Sequence, residues 1–186
     1  MAGQLHEFDP PDRFVAGTVG QPGERTFFLQ ATAGQRMVSV ALEKVQVAAL
    51  AEKLEELLDE VRRRQGTDSQ VPPVAPPELE DVGPLTTPVE EEFRVGTLAL
   101  AWDDDSDTVL VEAQSIEVDE AEAEDAPETT EFTGDLLRVR LTPAAARAFA
   151  KRALRVVAAG RPPCPLCGNP LDPSGHVCPR QNGHRG

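Results

Sequence analysis

The three cysteines of the sequence lie near its end, and their spacing suits a metal. Cys164-Pro165-Leu166-Cys167-Gly168 is a Cys-x-x-Cys-Gly turn, and His176-Val177-Cys178-Pro179 follows. Such a turn aims two thiolates at one ion. Cys178 supplies a third, and one histidine completes the tetrahedral Cys₃His set that suits zinc. The expected ligands are Cys164, Cys167, His176 and Cys178. On an extended strand His176 and Cys178 point to one side; His184, close to the C-terminus, is the alternative fourth ligand. With all four positions filled by protein, the zinc is structural and leaves no place for a reactive water. A redox Cys-x-x-Cys normally opens a helix, which Pro165, Gly168 and Pro170 oppose.

Other chemistry is sparser. Arg147, Lys151, Arg152 and Arg155 form a basic stripe on a helix leading to the cysteines, flanked by Arg138, Arg140, Arg161, Arg180 and Arg185. These four helix residues are the candidate partner-binding surface. Base stacking has little to work with, because Phe149 is the only aromatic residue after Phe132. Asp103-Asp104-Asp105-Ser106-Asp107 has the opening of a calcium loop, but Thr108 stands where the loop needs glycine and Gln114 where it needs glutamate. It reads as a hairpin turn. No phosphate loop, nucleophile elbow or His-Glu-x-x-His motif is present, so no catalytic residue is assigned. His6, near Asp9 and Asp12, reads as a polar residue of a poorly ordered N-terminus.

The elements that must carry these groups follow from periodicity. Residues 13–19, 26–30 and 37–42 read as three short strands separated by glycine turns. Leu50, Leu54, Leu57, Leu58 and Val61 then make an apolar helical stripe, with Arg62–Arg64 suited to the negative end of the helix dipole and Gly66 as its cap. The same order returns at 93–100, 108–113 and 136–141. A second helix opens on Thr142 and Pro143 and buries Ala146, Phe149, Ala150, Ala153, Leu154 and Val157. Val38–Leu42 resembles Leu137–Leu141 at an offset of 99 residues. The expectation is an α+β fold of two similar βββα halves, related by an approximate two-fold axis. Their antiparallel sheet is covered by two helices, and a small zinc-ribbon-like module follows.

Boundaries follow composition: a first half over 1–65, a Pro-rich flexible linker over 66–89, a second half over 90–160 and a zinc-binding tail over 161–186. The linker holds six prolines. An acidic loop, 119–131, has no apolar residue larger than alanine and reads as mobile. The 186-residue chain is acidic, with a net charge of -14, which disfavours a dedicated nucleic-acid binder and attraction to anionic membranes. That charge is polarised: residues 78–131 hold 19 acidic residues and one basic, whereas 132–186 hold two acidic and nine basic. No apolar run approaches the ~20 residues of a membrane span, and no signal peptide is evident.

The opening, His6-Glu7-Phe8-Asp9-Pro10-Pro11-Asp12-Arg13-Phe14-Val15-Ala16-Gly17-Thr18-Val19-Gly20, and the Cys-Pro-x-Cys-Gly…Gly-His-x-Cys-Pro-Arg-x-Asn-Gly close resemble an uncharacterised actinobacterial family of conserved repeat proteins. The resemblance covers both ends and the first helix, and it implies His176 as the fourth ligand. It implies no activity. The expectation is a non-enzymatic cytoplasmic binding or adaptor protein with a structural zinc and a protein partner. A nucleic-acid-associated protein using the basic helix and zinc module is the alternative.

Overall fold

The computed structural model describes residues 3–21, 23–116, 134–159 and 164–168. They form a mixed α+β arrangement of seven strands and two helices. Strands β1 (Leu5–Phe8), β2 (Arg13–Val19), β3 (Thr26–Ala33) and β4 (Arg36–Leu42) precede helix α1 (Lys44–Gln65). Short 3-10 turns at Gly66–Asp68 and Pro77–Leu79 lead to β5 (Glu91–Asp103), β6 (Thr108–Ser115), β7 (Leu136–Leu141) and helix α2 (Pro143–Ala158).

The sheet order is β1-β7-β6-β5-β4-β3-β2. It is mixed, not antiparallel as expected: β4 runs parallel to β5, and β1 parallel to β7. The first pairing follows from its connection, because a crossover through α1 lets the next strand start from the same end.

β1 and β2 occupy opposite edges, yet only residues 9–12 join them. Six strand spacings of ~4.8 Å would separate the edges of a flat sheet by about 29 Å. The link from Phe8 to Arg13 reaches at most about 18 Å. The sheet therefore curls until its edges approach. Arg36 of β4 stacks over the Phe8 ring at 4.5 Å and donates from Nη2 to the Glu7 carbonyl at 3.0 Å. β5 joins the two parts of the sheet. Its start pairs with β4 and its longer remainder with β6, with register shifts in both pairings. Gly96 sits at the second shift, where a Cβ would lie 3.0 Å from Ile116 Cα.

One sheet face closes on the helices. Leu50, Leu54, Leu58 and Val61 of α1 meet Leu29, Val40, Val95, Val111 and Val139 of the sheet in a single core. Gly66, at φ +66°, donates to the Arg62 carbonyl as the expected cap, and at the other end of α1 the Glu43 N–H donates to Gln46 Oε1 at 2.7 Å, a cap not read from the sequence. Thr142 Oγ1 accepts from the Ala145 N–H at 3.2 Å, with Pro143 in the first helical position.

The Pro-rich stretch, expected as a solvated linker, is a strap with two apolar anchors. Val71 enters the helix-side core. Leu85 packs on the opposite sheet face with Val15, Phe28 and Ala41. Gly17 makes room there, since a Cβ would come within 2.5 Å of Leu85. Gln30 fixes the strap by accepting from the Thr86 N–H at 2.8 Å and donating to the Thr86 carbonyl at 2.9 Å. Prolines fix φ, so such a chain loses little entropy when isolated apolar residues dock. The acidic loop 119–131 and most of the tail lie outside the described residues. Among the described residues no helix is long and apolar enough to cross a membrane.

Candidate functional site

The basic stripe of α2 divides on folding. Arg147 is only 2% exposed. Its guanidinium donates to Glu55, to Asp59 Oδ1 at 2.6 Å and to the Pro72 carbonyl at 3.0 Å, tying together α1, α2 and the strap. Arg152, also buried, donates from Nε to the Ala16 carbonyl at 2.8 Å. Lys151 and Arg155 face outward, 3.9 and 3.7 Å from Glu80. The four residues expected to form one partner surface are thus two internal ties and two exposed cations. Arg138 and Arg140 lie on β7, where Arg138 pairs with Glu7 and Glu112, and Arg140 with Asp9 and Asp103.

The ties converge on Asp81 of the strap. Arg13, at the start of β2, grips its carboxylate with a fork: Nε to Oδ2 at 2.6 Å and Nη2 to Oδ1 at 2.9 Å. Arg152 adds Nη1 to Oδ1 at 2.9 Å and to the Asp81 carbonyl at 2.8 Å; Arg155 Nη2 reaches that carbonyl at 2.9 Å. Arg13 also donates to the Gly83 and Pro84 carbonyls. Hydrogen bonding from Arg13 holds the Asp81 carboxyl below its ordinary range, and Asp81 in turn raises Arg13. Burial lowers Arg152, a shift that Asp81 opposes and the neighbouring Arg13 and Arg155 charges reinforce. A cleft of about 140 Å³ opens beside the cluster, lined by Arg13, Arg152 and Asp81 and walled by Phe14 and Phe149, which stack at 4.6 Å.

Sequence reasoning missed this constellation because it is tertiary. Arg13 and Asp81 are 68 residues apart, and Asp81 and Arg152 are 71 apart. No local spacing signals it.

The cysteine turn is described over its first five residues. Cys164 is buried, and the Gly168 N–H donates to its carbonyl at 2.8 Å. Gly168 adopts φ +76°, which few residues other than glycine accept, although nothing would crowd a Cβ there. Cys164 and Cys167 both lie on this turn; His176, Cys178 and His184 lie outside the described residues. Among the described residues no cluster of three His, Cys, Asp or Glu could hold a metal.

Two further positions are settled. The Asp-rich segment is a hairpin turn, with the Asp105 N–H on Asp103 Oδ1 at 2.9 Å and Asp107 at φ +52°. His6 is not a loose terminal residue: it is buried on β1, with Nε2 3.9 Å from Glu92 Oε1. Leu5 already belongs to the sheet, where Leu5–Phe8 pair with Leu136–Val139 of β7.

The sequence profile of the DUF3090 family, described as a protein of unknown function, matches residues 6–178. The chain belongs to the DUF3090 family. No curated protein and no solved structure matches it. The DUF3090 match takes in Arg13, Asp81 and Arg152 as well as Cys164, Cys167, His176 and Cys178, and it ends before His184.

Proposed function

We propose that this DUF3090 chain is a non-enzymatic cytoplasmic binding protein of actinobacterial type. Its tail folds around a structural zinc held by Cys164, Cys167, His176 and Cys178. The observation that carries the metal assignment is the Cys164–Gly168 turn, in which a left-handed glycine closes the loop between two cysteines. The end of the family match at Cys178 favours His176 over His184 as the fourth ligand. In such sites metal binding and local folding share one free energy, so loss of a ligand unfolds the tail. The core is read as a duplicated βββα unit. Its support is the shared element order and the offset of 99 residues, which also superposes Glu43 and Thr142, the residues that open the two helices.

The partner is a protein. Burial of Arg147 and Arg152 leaves only Lys151 and Arg155 of the stripe exposed, too few to follow a phosphate backbone. Elemental analysis of the purified chain should find one zinc per molecule, lost in Cys164→Ser/Cys167→Ser. A tagged pull-down should recover a stoichiometric protein that withstands nuclease and disappears with that double variant. Absence of zinc, or recovery that nuclease abolishes, overturns the reading.

A further inference from the structure

The Asp81 cluster holds more positive charge than a structural ion pair requires. Arg13, Lys151, Arg152 and Arg155 lie within ion-pair distance of just two carboxylates, Glu80 and Asp81. Asp12, at the rim of the cleft, already accepts from the Gly34 N–H. Arg152 is 6% exposed, and its Nη2 makes no hydrogen bond among the described residues. A buried guanidinium with an unused donor beside an open cleft is a recognition element in waiting.

The strap that delivers Asp81 is built to leave. Between the anchors Val71 and Leu85 no residue is buried, and Val82, next to Asp81, is 73% exposed. Hydrogen bonds from Arg13, Arg147, Arg152 and Arg155 hold this stretch. Releasing Asp81 therefore uncovers little apolar surface, and an incoming anion can replace the bonds it gives up. The cleft of about 140 Å³ is smaller than the ~300–1,000 Å³ of whole-ligand pockets. It suits one head group, with Phe14 and Phe149 beside it for an apolar body.

We propose that Arg13 and Arg152 form a binding site for the phosphoryl group of a small phosphomonoester, with Asp81 as an internal anion that the ligand displaces. A dianion balances the surplus cations where one carboxylate does not, and its oxygens match the guanidinium fork. The proposal is independent of the zinc tail.

The test titrates inorganic phosphate into the full chain at constant ionic strength, with acetate in parallel. Asp81→Asn removes the competing charge and should bind phosphate about tenfold more tightly than the wild type, as expected for loss of one charged competitor. Adding Arg13→Gln to that variant should abolish binding. In the wild type, millimolar phosphate should speed amide hydrogen exchange over residues 79–84, a readout that needs no variant to fold. Equal binding by wild type and Asp81→Asn, persistence in the double variant, acetate binding as strong as phosphate, or unchanged exchange in the wild type would each overturn the proposal.

Discussion

The three strands immediately before α1, β2–β4, and the three that lead to α2, β5–β7, share one sheet but face different surroundings. β2, β3 and β4 are covered twice, by the helices on one face and by Leu85 and the partly buried Val89 on the other. Their buried residues run consecutively: Phe14, Val15 and Ala16 on β2, and Phe27 through Ala31 on β3. Among the described residues β6 and β7 are covered by the helices alone, and burial alternates along them, with Glu112, Arg138 and Arg140 on the outer face. A third layer of chain is thus what separates a strand that is apolar throughout from one that alternates. Here that layer comes from a stretch of proline and acid that has no strand or α-helix of its own.

Substitutions can break this contrast in graded steps. Leu54→Ala, at the junction between α1 and the sheet, should destabilise the whole chain by about 2–5 kcal/mol in urea unfolding. A result below 1 kcal/mol would mean the helices do not unite the two sets of strands. Leu85→Ala should cost about 2 kcal/mol, at the low end for a buried leucine because it lies in the outer layer. Gly17→Ala should be destabilising alone, by about 1–3 kcal/mol of overpacking, and nearly neutral when added to Leu85→Ala. Simple additivity of the two would show that the strap does not rest on β2.

Asp81→Asn should cost less, about 1 kcal/mol at neutral pH, because the pair is part-exposed. The sign of its pH dependence follows from a folded carboxyl held below its ordinary value. Its contribution is complete above the unfolded pKa of ~3.9 and is lost as pH falls through the lower folded value. The gap between wild type and variant should therefore close in acid and stay constant above about pH 5. A gap that widens in acid would contradict the Arg13 pairing. Smallest of all, Arg138→Gln on the open outer face should change stability by about 0.5 kcal/mol or less. That difference should shrink further in high salt, read from the same unfolding curves.

Much of this architecture was legible in the sequence. Six of the seven strands and both helices follow from period, turn residues and caps. The Thr142–Pro143 start is the clearest case, because capping chemistry is local. β1 was hidden by its length of four residues and by having its partner at residues 136–139. The parallel β4–β5 pairing was hidden because strand direction depends on the crossover, which periodicity does not register. The strap was misread for a physical reason. Two buried residues, Val71 and Leu85, are enough to dock a chain stiffened by proline, and two residues make no pattern. The cysteine turn was readable from five consecutive residues, whereas the Asp81 cluster joins three distant segments and became visible only in the fold.

The placement of β1 has a consequence for the order of events during synthesis. This strand is made before the other described strands, yet its partner β7 is completed only at Leu141. At ~5–20 residues per second the first strand waits on the order of 10 s before the segment it pairs with exists. Meanwhile β2, β3, β4 and α1 can assemble from consecutive chain. The emerging sheet lacks that pairing for the interval, and its last junction joins the earliest-made of its strands to the latest.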